Sequence, residues 1–579
     1  MAEAQASLPT QRSLILCFDG TGNKFQGTAA DSNIVKIFSL LDRQDANQFH
    51  YYQPGIGTYV ETSSLSHKSR LGKVKSAYAK AKDMAVGTSF GEHVMAGYKF
   101  LMRYYQSGDN IYLFGFSRGA YTVKFLAQML DYVGLLSAGN EEMLRFAWKT
   151  FARWQMRTES NKEEKLAKRA QFDFMRKFRE TFSRPTDPIR FIGLFDCVNS
   201  VPQFESAWMS RTKFPYTAKT SAKVVRHAVA IDERRAKFRQ DLISEQKTRD
   251  DGTRHLLHSH LTWHHGELTK EEQTEQPPLN KLGSQHQVRY RPKVHQQRLR
   301  IIPIGQARDD GASSTASRGS FDSATAAHDR RVESHLVSGT PNDVSDVSVQ
   351  DIVELWFAGQ HGDIGGGWTL GPDEERPASD LPLMWMLHEA RKAGLPFDED
   401  KLQASGLLFE DGEPEVQTPA IRLDGRALPR SNSSTTNAQL PCNEGDLQRL
   451  ETAVELHDSL AFGGGMSALG VLSWQIMEYL PFRRMDLQPD GSWRPINWPL
   501  PRGEVRDMPP NALVHISVIH RMQADPTYRP GNVILGGGGR GIRKAPEEAG
   551  IGDWRVAVNT DRLNRAVMRA REGDVSLDK

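Results

Sequence analysis

The pentapeptide Gly115-Phe116-Ser117-Arg118-Gly119 constrains this chain more than any other feature. Before it runs Asn110-Ile111-Tyr112-Leu113-Phe114, an apolar stretch suited to a buried strand. After it, Ala120, Val123, Ala127 and Leu130 recur at helical spacing. Strand, sharp turn and helix make a nucleophile elbow, in which the serine stands out at the top of a sheet. The flanking glycines let the backbone turn tightly, and the helix N-terminus favours negative charge beside the hydroxyl. A second match, Gly87-Thr88-Ser89-Phe90-Gly91, lacks this setting: Ala79 to Met84 upstream is charged and carries no β-branched run. That stretch is expected to open a helix bearing Val94, Tyr98, Leu101 and Met102.

The same alternation extends along the chain. Ser13 to Phe18 reads as a short buried strand that ends in Asp19-Gly20-Thr21-Gly22-Asn23, and Ile34, Val35, Phe38 and Leu41 then mark a helix. Ile189 to Phe195 is strand-like and stops at Asp196; Asp351 to Phe357 is another strand candidate running into Ala358-Gly359-Gln360-His361-Gly362-Asp363 and three glycines. Alternating strands and helices indicate a mainly parallel α/β sheet, whose ligands bind at the carboxyl ends of the strands. Ser117, Asp196 and His361 each follow a strand, in the chain order of an α/β-hydrolase triad. His361 would take the Ser117 proton, and Asp196 would fix the imidazole tautomer. The backbone N–H of Arg118 would supply half of an oxyanion hole, and Gly20 or Thr21 the other half. Asp363 is the rival acid and His515 the rival base. Asp19 would hold the oxyanion loop by local hydrogen bonds or, alternatively, bind a metal.

Composition narrows the function classes. The 74 basic and 71 acidic side chains nearly cancel, which does not suggest nucleic-acid binding. Cys17, Cys197 and Cys442 are widely spaced and odd in number, forming neither a disulfide framework nor a zinc pattern. Met1 to Arg12 has no apolar core of signal-peptide length, and no stretch approaches 18 uninterrupted apolar residues. No cofactor or metal is expected, and the expected location is cytoplasmic or peripheral to a membrane.

The expected organisation is a flexible N-terminus (1–12), a first catalytic part (13–244), a polar insertion (245–345), completion of the catalytic domain (346–410), a polar connection (411–440) and a helical and irregular extension (441–579). The insertion is rich in Gln, Ser, Thr, His, Asp and Arg, a composition that argues for disorder. Its histidines suit a solvated loop better than a metal site. Glu141 to Phe182 reads as a helical cap over the site or as an ordinary outer layer. Trp474, Ile476, Met477, Tyr479 and Leu480 fit a lipid-docking patch or a buried helix.

Five blocks together resemble one family: Phe18 to Asn23, Gly115 to Ala120, Gly193 to Val198, His227 to Arg235 and Trp356 to Gly367. They are similar to the catalytic domain of bacterial type VI secretion phospholipase effectors, a domain abundant in fungi, over about residues 12 to 400. The resemblance implies an α/β-hydrolase that cleaves fatty-acyl esters of phospholipids, with Ser117 as nucleophile and Asp196 and His361 as its partners. Its long polar insertion and C-terminal region set this chain apart from the bacterial effectors. The resulting expectation is a serine esterase or phospholipase working through an acyl-enzyme, with peripheral membrane contact. Two other functions remain open: a metal-dependent phosphatase using Asp19, Asp196 and Asp363, and a noncatalytic scaffold.

Overall fold

The computed structural model describes residues 11–23, 25–55, 88–156, 162–198, 220–243, 350–371, 374–409, 442–479, 484–487, 493–496, 502–534 and 542–570. The expected insertion, with its histidines, and the expected polar connection lie outside the described residues.

Nine strands form one sheet: β1 (Ser13–Phe18), β2 (Gln48–Gln53), β3 (Asn110–Phe116), β4 (Phe191–Phe195), β5 (Val224–Ala230), β6 (Asp351–Phe357), β7 (Leu513–His515), β8 (Trp554–Val558) and β9 (Ala566–Arg569). Their order is β8-β9-β7-β6-β5-β4-β3-β1-β2. Neighbours from β2 across to β7 pair in parallel, and β9 runs antiparallel to both β7 and β8. The fold is thus a mostly parallel α/β-hydrolase-like sheet flanked by helices.

Central strands read as unbroken apolar runs because both faces are covered. In β1, Leu14, Leu16 and Phe18 join one core while Ile15 and Cys17 join the opposite one. β3 divides likewise, Ile111 and Leu113 against Tyr112, Phe114 and Phe116. This is the period of two expected of a strand. Each fully buried side chain of this size contributes roughly 1.5–3 kcal/mol, so a one-residue slip would misplace both sets at once.

Helices α2 (Thr88–Tyr104), α3 (Arg118–Val133), α4 (Leu144–Met156) and α5 (Lys162–Phe182) pack together, Phe90, Val94, Leu126, Phe151 and Phe178 sharing the first core. Of the two readings of Glu141 to Phe182, the outer layer is the one seen: α4 lies against α2 and α3, and α5 against α3. The expected helix at the second pentapeptide is α2. On the other face lie α1 (Asn33–Ser39), α6 (His361–Gly365) and α7 (Asp380–Lys392).

The C-terminal region, expected as a helical and irregular extension, supplies β7, β8 and β9 to the main sheet. It also contains α8 (Ala468–Met477) and α9 (Ile516–Ala524). Val514, Ile519, Trp554 and Val567 build a third core with Val229, Ile231 and Trp356. Among the described residues, no helix is long and apolar enough to cross a membrane.

Candidate active site

Parallel pairing brings the strand ends to one edge. Phe18 lies opposite Gly115, Phe116 opposite Phe195, and Ala230 opposite Phe357. The residues just past these ends are therefore neighbours in space.

Ser117 follows β3 with φ 59° and ψ −123°. Asp196 follows β4 with φ 38°. Among the described residues these are the two non-glycine positions with positive φ, a conformation that costs energy and gathers at functional sites. The glycines around Ser117 have steric reasons. A Cβ on Gly119 would stand 2.2 Å from the Phe18 carbonyl oxygen, and one on Gly115 would stand 2.6 Å from the Ala120 backbone. The Ser117 N–H donates to the Phe195 carbonyl at 3.0 Å, which ties the elbow to β4.

His361 opens α6. Its Nδ1 lies 2.5 Å from Asp196 Oδ2, and its backbone N–H donates to Glu233 Oε2 at 3.3 Å. Its ring sits between Phe116 and Phe238, with centroids at 4.6 and 4.7 Å. A Cβ on Gly365 would fall 2.0 Å from the Phe116 ring, so α6 rests directly on the residue before Ser117. Burial pushes the His361 imidazole below its ordinary value, against the pull of Asp196. A neutral imidazole is the form that can accept a proton.

Asp196 is fully buried. Burial alone would raise its carboxyl, but the guanidinium of Arg506 and the bond to His361 hold it well below the usual carboxylate range. Arg506 donates to both Asp196 oxygens, Nη1 to Oδ1 at 2.5 Å and Nη2 to Oδ2 at 2.9 Å. Sequence reasoning missed this arginine. It stands alone in Val505-Arg506-Asp507, 310 residues from its partner, and no local pattern marks it.

The rival acid and base are engaged elsewhere. Asp363 Oδ1 faces His457 Nδ1 at 2.7 Å, and Oδ2 accepts from the N–H groups of His457 and Gln360. Gln360 and Asp363 form a capping box on α6, which turns the carboxylate away from its neighbour two residues back. His515 is fully buried; its Nδ1 meets Ser517 Oγ at 2.8 Å and its Nε2 meets the Leu563 carbonyl at 3.1 Å.

The loop after β1 is held by Asp19. This carboxylate accepts from the Gly20 N–H at 2.7 Å, Ser32 Oγ at 2.8 Å, Tyr52 Oη at 2.8 Å and Asn23 Nδ2 at 3.4 Å. Of the two candidate oxyanion donors, Gly20 therefore spends its N–H on Asp19. The Thr21 hydroxyl oxygen is buried with no hydrogen-bond partner. Asp19, Asp196 and Asp363 do not gather around one point: among the described residues, no three His, Cys, Asp or Glu side chains are grouped to hold a metal ion.

The remaining blocks serve this edge. His227 accepts the Cys197 N–H through Nε2 and pairs with Glu354 through Nδ1, bracing the turn at Asp196. Glu233 pairs with Arg235, whose guanidinium lies 3.7 Å from the Phe238 ring centroid.

Residues 12–389 match the family described as the T6SS phospholipase effector Tle1-like catalytic domain. The chain is 29% identical over 565 residues to the uncharacterized protein YEL023C of Saccharomyces cerevisiae, covering 90% of this chain and 80% of that one. Two solved structures are similar at 16% identity. One is an uncharacterized protein from Pseudomonas aeruginosa (TM-score 0.28, 67% of this chain). The other is a Tle1 effector bound to the VgrG spike of the type 6 secretion system (TM-score 0.19, 40% of this chain). The matches span 46% and 48% of those two chains, about half of each.

Proposed function

Since this chain belongs to the family of Tle1-like type VI secretion phospholipase effector catalytic domains, we propose that it is a serine hydrolase that cleaves fatty-acyl esters, with phospholipids as substrates. The observation that carries the reading is the 2.5 Å contact between His361 Nδ1 and Asp196 Oδ2, at the strand edge where Ser117 stands in an elbow.

The steps follow the proton. Ser117 Oγ attacks the ester carbonyl while its proton passes to His361 Nε2. His361 Nδ1–H donates to Asp196, which steadies the imidazolium. The negative carbonyl oxygen is met by the Arg118 N–H at the start of α3 and by Thr21. The C–O bond to the alcohol breaks, and the alcohol leaves with the proton from His361. Water then attacks the acyl-enzyme by the same route, releasing the fatty acid and restoring Ser117.

Access to lipid falls to α8, whose residues fitted either a docking patch or a buried helix. Leu469, Leu472, Ile476 and Tyr479 point to solvent, Leu469 being 78% exposed, and Phe462 just before the helix is 65% exposed. Contiguous exposed apolar surface of this kind marks an interaction site. Beneath it the Trp474 ring packs on Phe238 at 5.3 Å, and Phe238 packs on His361. Arg502 lies over the Tyr479 ring at 4.4 Å, a cation suited to phosphate headgroups.

The test is labelling with a serine-directed fluorophosphonate together with hydrolysis of phospholipid vesicles. Wild type should take the label and release fatty acid, and Ser117→Ala should do neither. A folded Ser117→Ala protein that still hydrolyses ester would overturn the assignment.

A further inference from the structure

Arg506 is 0% exposed, and it lies well beyond residue 389, where the family match ends. A guanidinium has five N–H donors and no acceptor. Here all five are used. Nη1 serves Asp196 Oδ1 and the Ala230 carbonyl, Nη2 serves Asp196 Oδ2 and the Phe238 carbonyl, and Nε serves the Phe238 carbonyl as well. The backbone of Arg506 is itself anchored: its carbonyl accepts from Asn532 Nδ2, which also donates to the Ile231 carbonyl.

We propose that Arg506 is a positioning residue for the catalytic acid, so that the C-terminal segment carrying it is an integral part of the catalytic centre. The proposal rests on the reading of Ser117, His361 and Asp196 as the triad. The planar fork fixes both oxygens of Asp196, and so fixes Oδ2 against the His361 ring. By bonding the Phe238 carbonyl it also sets the residue whose ring forms one wall of the His361 site. Lysine has neither the plane nor enough donors to do this.

The arrangement also sets the charge at the dyad. His361 faces Asp196, the Glu233–Arg235 pair and the rings of Phe116 and Phe238. Behind Asp196 stand Cys197, the buried Lys124–Asp241 pair and the His227–Glu354 pair. Among the described residues, Arg506 is the arginine or lysine in direct contact with the acid. It offsets the carboxylate, so His361 meets a nearly neutral pair and stays unprotonated to lower pH. Removing the cation leaves a bare carboxylate beside the imidazole and favours imidazolium.

The experiment compares full-length wild type, Arg506→Lys and Arg506→Met on a soluble short-chain ester across pH, with thermal melts of each. Arg506→Met should lower kcat by about tenfold or more with little change in KM, since only the proton-accepting geometry is lost. Its acidic limb of kcat/KM should move upward by about one unit, the effect of a lost opposite charge at contact distance. Arg506→Lys should keep the limb near its wild-type position while recovering only part of kcat. A folded Arg506→Met enzyme with unchanged kcat and an unchanged limb would overturn the proposal.

If Arg506→Met does not fold, the melts decide. Adding Asp196→Asn to it removes the uncompensated charge and should restore part of the lost Tm. Strictly additive losses would show that Arg506 serves the carbonyls alone and would overturn the role. Retained activity in Ser117→Ala would instead defeat the triad, and the melting cycle would still report whether Arg506 and Asp196 are coupled.

Discussion

Two histidine–aspartate pairs meet at α6, and they are nearly the same by geometry. His361 and Asp196 stand 2.5 Å apart, His457 and Asp363 2.7 Å, each through Nδ1 and each buried. Their surroundings differ. Asp196 is clamped by Arg506, and its carboxyl is held low; Asp363 has the His457 imidazole as its partner, and burial raises its carboxyl. Burial lowers the His361 imidazole. For His457 burial acts in the same direction, but the bond and charge of Asp363 outweigh it and raise the group. The His457 ring also lies flat on Trp368, with centroids 4.3 Å apart and planes at 7°. A buried dyad is thus not a catalytic dyad by its own geometry. On the proposed assignment the base stands at the elbow beside a compensated acid, while the pair whose histidine is pushed toward its charged form serves as a staple between α6 and the loop at His457.

The comparison breaks first at the two acids. Asp196→Asn should cut soluble-ester kcat by about 10³–10⁴-fold through the wrong tautomer and the lost charge. Asp363→Asn should cost less than about tenfold, its main effect being a lower Tm. Steady-state kinetics with matched melts measure both. If Asp363→Asn is the more damaging, the roles of the two pairs are reversed.

A pH series sharpens the contrast. The folded-state pKa of His457 is raised above its ordinary 6.5, so its stabilisation is fully present below about pH 6.5 and is lost as pH rises through the folded value. The Tm deficit of His457→Gln should therefore be largest at pH 6 and shrink by pH 8. A deficit that grows with pH would refute the charged staple.

Leu469→Asp combined with Ile476→Asp should lower hydrolysis of phospholipid vesicles by about tenfold, through lost apolar contact with the bilayer. Soluble-ester hydrolysis should stay within about twofold. Equal losses on both substrates would place α8 in the core economy of the fold rather than at a lipid surface. The smallest effect is expected from deleting residues 250 to 340, whose composition is too polar to build a core. Folding and soluble-ester hydrolysis should persist, and loss of soluble expression would show that the segment carries structure.

Local patterns revealed the parts of this site that depend on near neighbours. The apolar runs of β1, β3 and β6, the glycines of the elbow and the loop at Asp19 all declare themselves within a few residues. Partners set by the fold did not. Asp363 finds His457 from 94 residues away, and Gly20 turns its N–H to the adjacent carboxylate, which no pattern of residue types announces. β7 has three residues and β9 has four, too few for an alternation to register, and β7 passes directly into α9. The exposed face of α8 was legible in composition, but an apolar helix reads alike whether it faces lipid or a core.

The 310 positions between Asp196 and Arg506 also order events in time. A ribosome working at roughly 5–20 residues per second needs on the order of 15–60 s to cross that interval. Throughout it the nascent chain already carries Ser117, and for a little under half of it His361 as well, while Asp196 lacks its clamp and the sheet lacks its last three strands. If the proposed triad is the working centre, that centre is completed only late in its own synthesis. On the same assignment, a product cut short before residue 506 would lack both the clamp on Asp196 and three strands of the sheet, and so would be expected to be silent.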